Sequence, residues 1–239
     1  MKTAITISLL CCLTSLSNAQ NATGKNAAPD ERVSALERLY QRYMGAEAPL
    51  FSGAIYVDYT HTISGNLPFW NGTREFTKGN ICFNDIMYRD VLIAYDVYKD
   101  KLLIQHPVNY RIFEAQSVET KYFELSGRRF VALPALEKGL RPGFYELVYV
   151  GQRSTIYSKH IKELSQDLSE NTTRYNFQNS NVYYVLCKGQ LSKVTNLKSL
   201  LQAFKNDNVK SFVKSNNLDI KKDLGEALKS VATYYDKLY

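Results

Sequence analysis

The sequence predicts an α+β protein that is predominantly β: a meandering antiparallel sheet, a sandwich or partial barrel, with a short N-terminal helix and C-terminal helices packed on it. Between residues 50 and 194, runs of five to ten residues rich in Tyr, Val, Ile and Phe alternate with turn-forming residues. No helical segment at βαβ spacing interrupts these runs, and strands joined by so few residues are mostly antiparallel. After Gly189 the apolar period changes to about 3.6, which is typical of amphipathic helices.

The N-terminal residues 1–19 are predicted to be a secretory signal peptide. Lys2 is followed by an apolar run that is too short to cross a bilayer as a helix, and Ser17 and Ala19 occupy the positions that a signal peptidase reads. We therefore expect cleavage before Gln20 and an exported protein. The remaining sequence has no second long apolar run, so we expect no transmembrane segment in the mature chain.

The next residues, 20–29, are small and polar and are predicted to form a flexible leader. Residues 30–239 are predicted to form a single β-rich domain. A short helix is expected to open it, with Asp30 as N-cap. Four apolar residues share one face of this predicted helix: Val33, Leu36, Tyr40 and Tyr43.

Candidate strands follow from the apolar runs. They fall at residues 53–59, 74–83, 86–98, 101–106, 110–115, 118–125, 128–133, 143–150, 154–159, 173–177 and 182–187. Turn-forming pairs separate many of them. These pairs are Asn84-Asp85, Lys99-Asp100, Ser126-Gly127, Gly151-Gln152 and Lys188-Gly189.

Three apolar helical stripes are predicted within residues 197–238, and they need the sheet as a surface to cover. Asp219 is a candidate cap for the last of them, and Gly225 is expected to weaken that helix by about 1 kcal/mol relative to alanine. The stripes comprise Leu197, Leu200, Leu201 and Phe204, then Val209, Phe212 and Val213, then Ile220, Leu224, Ala227, Leu228, Val231, Tyr235 and Leu238.

Asp96 is a charged residue within the apolar run of residues 91–98. Strand alternation places it on the less apolar face, near the end of the strand. We therefore expect its carboxylate to be solvated or bonded to a neighbouring donor. A catalytic role is the less favoured interpretation, because the local pattern offers no second group for acid–base chemistry.

Motifs for common reaction classes are missing from the sequence. His61, His106 and His160 are not at metal-ligand spacing, and no phosphate-binding or nucleophile-elbow motif occurs. We expect no metal and no cofactor. Cys82 and Cys187 lie in strand-like contexts and are interpreted as buried thiols, with a disulfide between them as the alternative in an oxidising compartment.

Two surfaces are candidates for binding. Phe69 and Trp70 lie in a loop, residues 66–73, where exposed aromatic rings would stack on sugars or insert into a partner; the favoured alternative is that Trp70 covers the edge of the sheet. The second candidate is a lysine series on the C-terminal helices, for which a solvated face is favoured over an anion-binding surface. It comprises Lys198, Lys205, Lys210, Lys214, Lys221, Lys222, Lys229 and Lys237.

The net charge also favours a solvated lysine face over an anion-binding surface. Removal of residues 1–19, which contain one lysine and no acidic residue, lowers the formal charge from +7 to +6. Such a moderate excess concerns solubility more often than recognition. Nucleic acid is not expected as a partner, because the chain is predicted to be exported and lacks the Lys/Arg-Gly-Phe pattern of an RNA-binding sheet.

Over residues 50–239 the order of segments resembles a group of secreted, uncharacterised proteins common in Bacteroidota. The shared features are a "KG" strand at residues 78–79, a "YD" hairpin at residues 95–96, a "GFYE" strand at residues 143–146 and a Lys/Leu-rich helical end. The resemblance implies a periplasmic or outer-envelope setting. It implies no activity and no site residues.

Three functional hypotheses remain open. The favoured one is an exported, non-enzymatic envelope protein that binds another envelope protein or an envelope polysaccharide. The second is a hydrolase of a glycan or peptide whose carboxylates come from separate strands, such as Asp58, Asp96 or Glu146. The third is a carrier of lipid or another apolar ligand within a curled sheet.

Overall fold

The computed structural model describes residues 29–59, 63, 65–134, 140–167 and 174–238. The predicted signal peptide and leader residues 20–28 lie outside this part of the chain. The predicted fold class is confirmed: one ten-stranded antiparallel sheet carries a helix on its N-terminal side and further helices at the C-terminus. The strands are β1 Thr77–Phe83, β2 Ile86–Asp96, β3 Lys101–Gln105, β4 Ile112–Glu114, β5 Thr120–Leu125, β6 Arg128–Leu133, β7 Gly143–Val150, β8 Ser154–Asp167, β9 Arg174–Cys187 and β10 Gln190–Val194.

The strand order is β10-β9-β8-β7-β6-β5-β1-β2-β3-β4, and each neighbouring pair is antiparallel. From β5 to β10 the chain is a simple meander. The β1–β4 group is inserted with β1 against β5, so the path from β4 to β5 passes three strands before it rejoins the sheet. The meander places β7, β8 and β9 side by side, and these strands carry most of the candidate site.

Three predicted turns have the backbone that tight hairpins require. Residues 84–85, 126–127 and 188–189 have positive φ at both central positions, between 48° and 75°. Two-residue hairpins of this kind match the right-handed twist of the flanking strands. Asn, Asp and Gly tolerate this conformation best, which is why these pairs are recognisable in the sequence.

The strand predictions were wrong at three places. Residues 53–59 form no strand and make only an isolated bridge between Ile55 and Phe113. The two predicted strands at residues 173–177 and 182–187 are one strand, β9, which pairs with β8 along its whole length. Strand β10 was missed because its short sequence has little apolar alternation. It pairs with β9 because the hairpin turn at residues 188–189 places it there.

The sheet is strongly curled. Strands β2 and β7 are four positions apart, which would separate them by about 19 Å in a flat sheet. The ring of Tyr95 on β2 nevertheless lies 6.0 Å from that of Phe144 on β7. Tyr95 also packs against Phe123 and Phe130, so aromatic side chains fill the concave face. The result is an open partial barrel with a packed interior.

The N-terminal helix α1, Pro29–Met44, begins two residues earlier than an N-cap at Asp30 predicts, so Asp30 lies inside the helix. Proline is favoured in a first turn because it lacks an N–H, and an N–H at that position would have no partner within the helix. The predicted packing face was wrong for three of its four residues: Val33, Leu36 and Tyr43 are 55%, 66% and 88% exposed, whereas Tyr40 packs on the core against Tyr88. Beside Tyr40, the Gln41 amide pairs with the backbone of Arg89 on β2.

The C-terminal helices are α2 Leu197–Phe204, α3 Asp207–Ser215 and α4 Leu224–Lys237. Their apolar faces cover β7–β10 and form a core that is separate from the aromatic interior. Asp223, not Asp219, caps α4, because the Asp219 carboxylate is used by the N–H groups of Lys221 and Lys222 in the preceding turn. The eight lysines of the predicted series are all exposed. Among the helices of the described residues, none is long and apolar enough to cross a membrane.

Candidate ligand-binding cleft

The described residues of one segment before β1, 53–59, 63 and 65–72, lie across the open side of the curled sheet and are called the crossing segment below. It contacts β4 through Ile55 and reaches β9, where Phe177 N–H donates to the Asn66 carbonyl at 3.3 Å. It returns to the end of β2, where Trp70 N–H donates to the Tyr95 carbonyl at 2.8 Å. The segment thus bridges the two sides of the partial barrel.

Asp96 holds the first half of the crossing segment. Its carboxylate is fully buried and accepts hydrogen bonds from the hydroxyls of Tyr56 at 2.8 Å and Tyr59 at 2.7 Å, and from Lys99 N–H at 3.0 Å. Burial, together with the adjacent carboxylate, raises the pKa of both tyrosines, which therefore remain donors. The prediction of a neighbouring donor is correct, but the expected solvation is not. Asp96 is a structural anchor.

Lys162 on β8 holds the second half of the crossing segment. It is 8% exposed, and its ammonium donates to the carbonyls of Leu67 and Phe69. Phe69 is 4% exposed and belongs to a core cluster. It was predicted as part of a candidate binding surface, but it is buried. Trp70 is half-buried and packs against Phe130 and His160, with ring centroids 5.1 and 4.3 Å away. These contacts fix the Trp70 ring at the wall of a cleft.

The cleft, about 350 Å³ in volume, lies between the aromatic interior and the core under the C-terminal helices. Along β8, Ile156 packs with the helices, whereas Ser158, His160 and Lys162 line the cleft. Along β7, Phe144 belongs to the aromatic interior and Glu146 lines the cleft. Alternate residues of a strand share a face, so the residues named above lie on one face of β7 and β8. Along that face they are apolar where a core covers the sheet and polar in the cleft between the two cores.

An ion-paired network forms the floor of the cleft. The Glu146 carboxylate accepts a hydrogen bond from Arg128 and lies 2.6 Å from His160 Nε2. The other ring nitrogen of His160 lies 2.7 Å from Asn181 Oδ1. Burial by itself would raise the pKa of Glu146, but His160 and Arg128 outweigh it and lower that pKa below its ordinary value of 4.5. Glu146 is thus held as a carboxylate with both oxygens occupied.

One buried polar group of the cleft, the Ser158 hydroxyl, is left without a hydrogen bond in the part of the chain that the structure describes. Ser158 is 1% exposed, and its hydroxyl finds no hydrogen-bond partner within the described residues. The hydroxyl of Tyr183 lies near enough to Ser158 and Asn181 for both to lower its pKa, although burial dominates and raises it. Burial of a hydroxyl without a hydrogen-bond partner costs free energy. A bound molecule would supply the missing partner of Ser158.

The first turn of α4 closes the cleft on the remaining side, where Gly225 and Glu226 line it. Gly225 is buried, and a Cβ there would lie 2.5 Å from Tyr183 Oη and 3.0 Å from Tyr183 Cζ. A side chain at this position must displace Tyr183, so glycine permits the close approach of α4 to β9. Glycine has a lower helix propensity than alanine, so α4 loses some stability at Gly225. In return, the helix can approach β9 closely enough to cover the cleft.

Replacement of Gly225 by Ala is expected to destabilise the protein by about 1–2 kcal/mol, because the added methyl must displace Tyr183. Propensity alone predicts the opposite sign, a gain of about 1 kcal/mol. In a Tyr183→Leu background the obstacle is absent, and Gly225→Ala is expected to stabilise. Urea unfolding of the four variants measures this coupling. Stabilisation by Gly225→Ala in both backgrounds would contradict the close approach.

The remaining candidate residues are dispersed. Asp58 is exposed and pairs with Arg74. His106 is held at the end of β3, where its Nδ1 accepts from the N–H groups of Val108 and Asn109, while His61 lies outside the described residues. In the described part of the chain, no group of three or more His, Cys, Asp or Glu side chains is placed to hold a metal ion.

Cys82 and Cys187 are both buried free thiols, so the alternative disulfide is not formed. They lie on β1 and β9, which four strands separate in the sheet order. Burial raises the pKa of the Cys82 thiol, which makes it a poor nucleophile. Neither residue belongs to the cleft.

From the sequence, Glu146 was considered only as an isolated acid, and His160 was considered only as a metal ligand. Their pairing was missed because it depends on the register of β7 against β8, which places Glu146 opposite Ser158. A usable signal was present: Ser158, His160 and Lys162 are polar residues at a spacing of two that directly follow apolar Ile156. This pattern predicts a polar patch on one face of a strand.

Comparisons with protein-family models, with curated proteins and with solved structures find no match to this chain. The assignment of the cleft therefore depends on its own geometry and chemistry.

Proposed function

We propose that the protein is an exported, non-enzymatic binding module of the cell envelope that takes its ligand into the cleft beside Trp70. The observation that carries the proposal is the contrast between the charged and the neutral groups of the cleft. Its buried charges are satisfied within the chain, Glu146 by Arg128 and His160 and Lys162 by backbone carbonyls, whereas the Ser158 hydroxyl has no partner within the described residues. The exported setting rests on the signal-peptide pattern of residues 1–19.

The state of Glu146 favours binding over turnover. A general acid needs a proton at the working pH, and a general base needs a pKa near that pH. The pKa of Glu146 is lowered, and both of its oxygens are engaged by Arg128 and His160. In this arrangement Glu146 positions its neighbours and does not exchange protons with a substrate. The hydrolase alternative therefore has weaker support.

A carrier of lipid or another apolar ligand is the remaining alternative, and it requires apolar space inside the curled sheet. Tyr95, Phe123, Phe130 and Phe144 fill that space and pack against one another. A second cavity, of about 640 Å³, is lined by residues 132–134 and 142–144, but also by the charged side chains of Lys99, Asp100 and Lys121. The polar cleft is the better supported site.

Co-sedimentation of the purified protein with isolated envelope fractions tests the proposal. We expect saturable binding to one fraction and a decrease of about fivefold or more in affinity for Trp70→Ala, because the ring forms a wall of the cleft. Tyr110 is 70% exposed and lies outside the cleft, so Tyr110→Ala is the matched aromatic control and is expected to bind normally.

Three results would overturn the proposal. Binding that is lost as salt rises but is unaffected by Trp70→Ala would assign it to the lysines of the C-terminal helices. Release of soluble fragments from the envelope fraction, abolished by Glu146→Gln, would show that the protein is an enzyme. Failure to bind any fraction would also count against it.

A further inference from the structure

We infer that the ligand of the cleft is an uncharged oligosaccharide whose hydroxyl groups bind Ser158 and the asparagines beside Trp70. The inference rests on the proposed function, since it names the class of molecule that this same site takes.

The balance of charge in the cleft disfavours an anionic ligand. Two cationic side chains line it, Arg128 and Lys162, and neither is free: Arg128 pairs with Glu146, and Lys162 donates to backbone carbonyls. On the opposite wall, Asp223 and Glu226 belong to the cap and first turn of α4. A carboxylate, sulfate or phosphate on the ligand would meet these acidic groups with no uncommitted cation to offset them.

The uncommitted groups are neutral donors and acceptors, which is the complement of a polyhydroxylated molecule. Ser158 offers a hydroxyl that can donate and accept, and the side chain of Asn179 lines the same cleft. Asn181 also lines it, but its Oδ1 is already engaged by His160. Sugar hydroxyls also donate and accept, so each pairs with an amide or a hydroxyl without any net charge. The carboxylates of Asp223 and Glu226 add acceptors at the rim.

Ser158 is the observation that points to a ligand most directly. Its side chain is 1% exposed, lines the cleft and has no partner within the described residues. Buried polar groups are nearly always hydrogen-bonded, so the Ser158 hydroxyl, with the Tyr183 hydroxyl as its neighbour, is a site for a donor or acceptor of a bound molecule. A hydroxyl group of the bound molecule supplies it.

Trp70 supplies the apolar part of the site. Its ring lines the cleft, and Arg128 lies over it, 5.7 Å from the ring centroid. The C–H groups of a sugar ring pack well on such an amphipathic wall, while its hydroxyls turn to the polar groups. A volume of about 350 Å³ is at the lower end of the range for ligand pockets, so the site fits a short segment or one end of a glycan.

Trp70 is also the single tryptophan of the chain, so its emission reports on the cleft directly. Fluorescence titration with neutral trisaccharides of glucose, mannose, galactose, xylose and N-acetylglucosamine tests the inference. We expect at least one to give a saturable change with Kd below about 10 mM. Its counterpart with uronic acids in place of the neutral sugars, at the same linkage, is expected to bind at least about tenfold more weakly.

Ser158→Ala is the decisive variant. It is expected to weaken binding about tenfold, which corresponds to about 1.4 kcal/mol. Because the hydroxyl has no partner in the free protein, the same change is expected to leave the thermal midpoint unchanged or slightly raised. Thr77→Val is the matched control, since Thr77 carries the other buried unpaired hydroxyl of the described residues and lies outside the cleft. It is expected to leave binding intact.

The outcomes separate the inference from the proposed function. If the uronic-acid trimer or a short peptide changes Trp70 emission and Ser158→Ala weakens that binding, the cleft is a binding site but the ligand is not an uncharged sugar. If no neutral trisaccharide binds, the inference is overturned. If no compound binds and the protein also does not co-sediment with any envelope fraction, both the proposed function and this inference are wrong. Binding that is insensitive to Ser158→Ala would likewise overturn the inference.

Discussion

Replacement of Asp96 by Ala is expected to lower the free energy of unfolding by about 3–5 kcal/mol. Asp96 is fully buried and accepts three hydrogen bonds, from Tyr56, Tyr59 and the N–H of Lys99. Bonds to a charged acceptor are stronger than neutral ones, and their loss leaves three donors without a partner. The expected loss is a large fraction of the stability of an ordinary domain.

The same variant should release the first half of the crossing segment. Urea unfolding measures the stability, and limited proteolysis between residues 53 and 59 reports on the segment. Asp58→Ala is the matched control: this nearby carboxylate is exposed and pairs with Arg74, so its loss is expected to cost less than about 1 kcal/mol. Equal effects of the two substitutions would show that burial of Asp96 has no structural consequence.

Replacement of Glu146 by Gln is expected to lower the free energy of unfolding by about 2 kcal/mol near neutral pH, because His160 and Arg128 lose their anionic partner. The folded-state pKa of Glu146 lies below its ordinary value of 4.5. A carboxyl group with a depressed pKa stabilises the fold above its unfolded-state pKa, and that stabilisation is lost as the pH falls through the folded-state pKa. The difference between wild type and Glu146→Gln is therefore expected to shrink below about pH 4.5.

Urea unfolding at a series of pH values measures this difference directly. Glu124→Gln is the control, since Asn80 and Arg129 also lower the pKa of Glu124 but its side chain is about one-third exposed. Solvent screening limits its effect to about 1 kcal/mol or less. Stability curves of wild type and Glu146→Gln that run parallel across the acidic range would contradict the ion-paired network in the cleft.

The parts of the fold that were predictable are those set by local chemistry. Alternation of apolar residues and the turn pairs at residues 84–85, 126–127 and 188–189 identified the antiparallel hairpins. The error at residues 53–59 has a physical cause. Ile55 and Val57 alternate with Tyr56 as in a strand, but the segment has no neighbouring strand along its length, so only Tyr56 is buried.

The cleft was less predictable, because it is defined by contacts between distant parts of the chain. The loop with Trp70 was recognised as notable, but the sequence could not show that Lys162, more than ninety residues away, would hold it. Asp96 was placed on the wetter face of its strand because alternation shows which residues share a face and not what covers it. Two tyrosines of the crossing segment cover it.

The crossing segment imposes an order on assembly. It precedes every strand in the chain, yet its partners on β8 and β9 follow it by 93 residues for the Lys162–Phe69 contact and 110 for the Asn66–Asn176 contact. During vectorial emergence from a ribosome or a translocon, the Trp70 backbone can pair with Tyr95 early, but its ring must wait for Phe130 and His160 in the second half of the polypeptide. Contacts between such distant positions form late and slowly. A holding chaperone that shields the early half would raise the yield of correctly assembled protein.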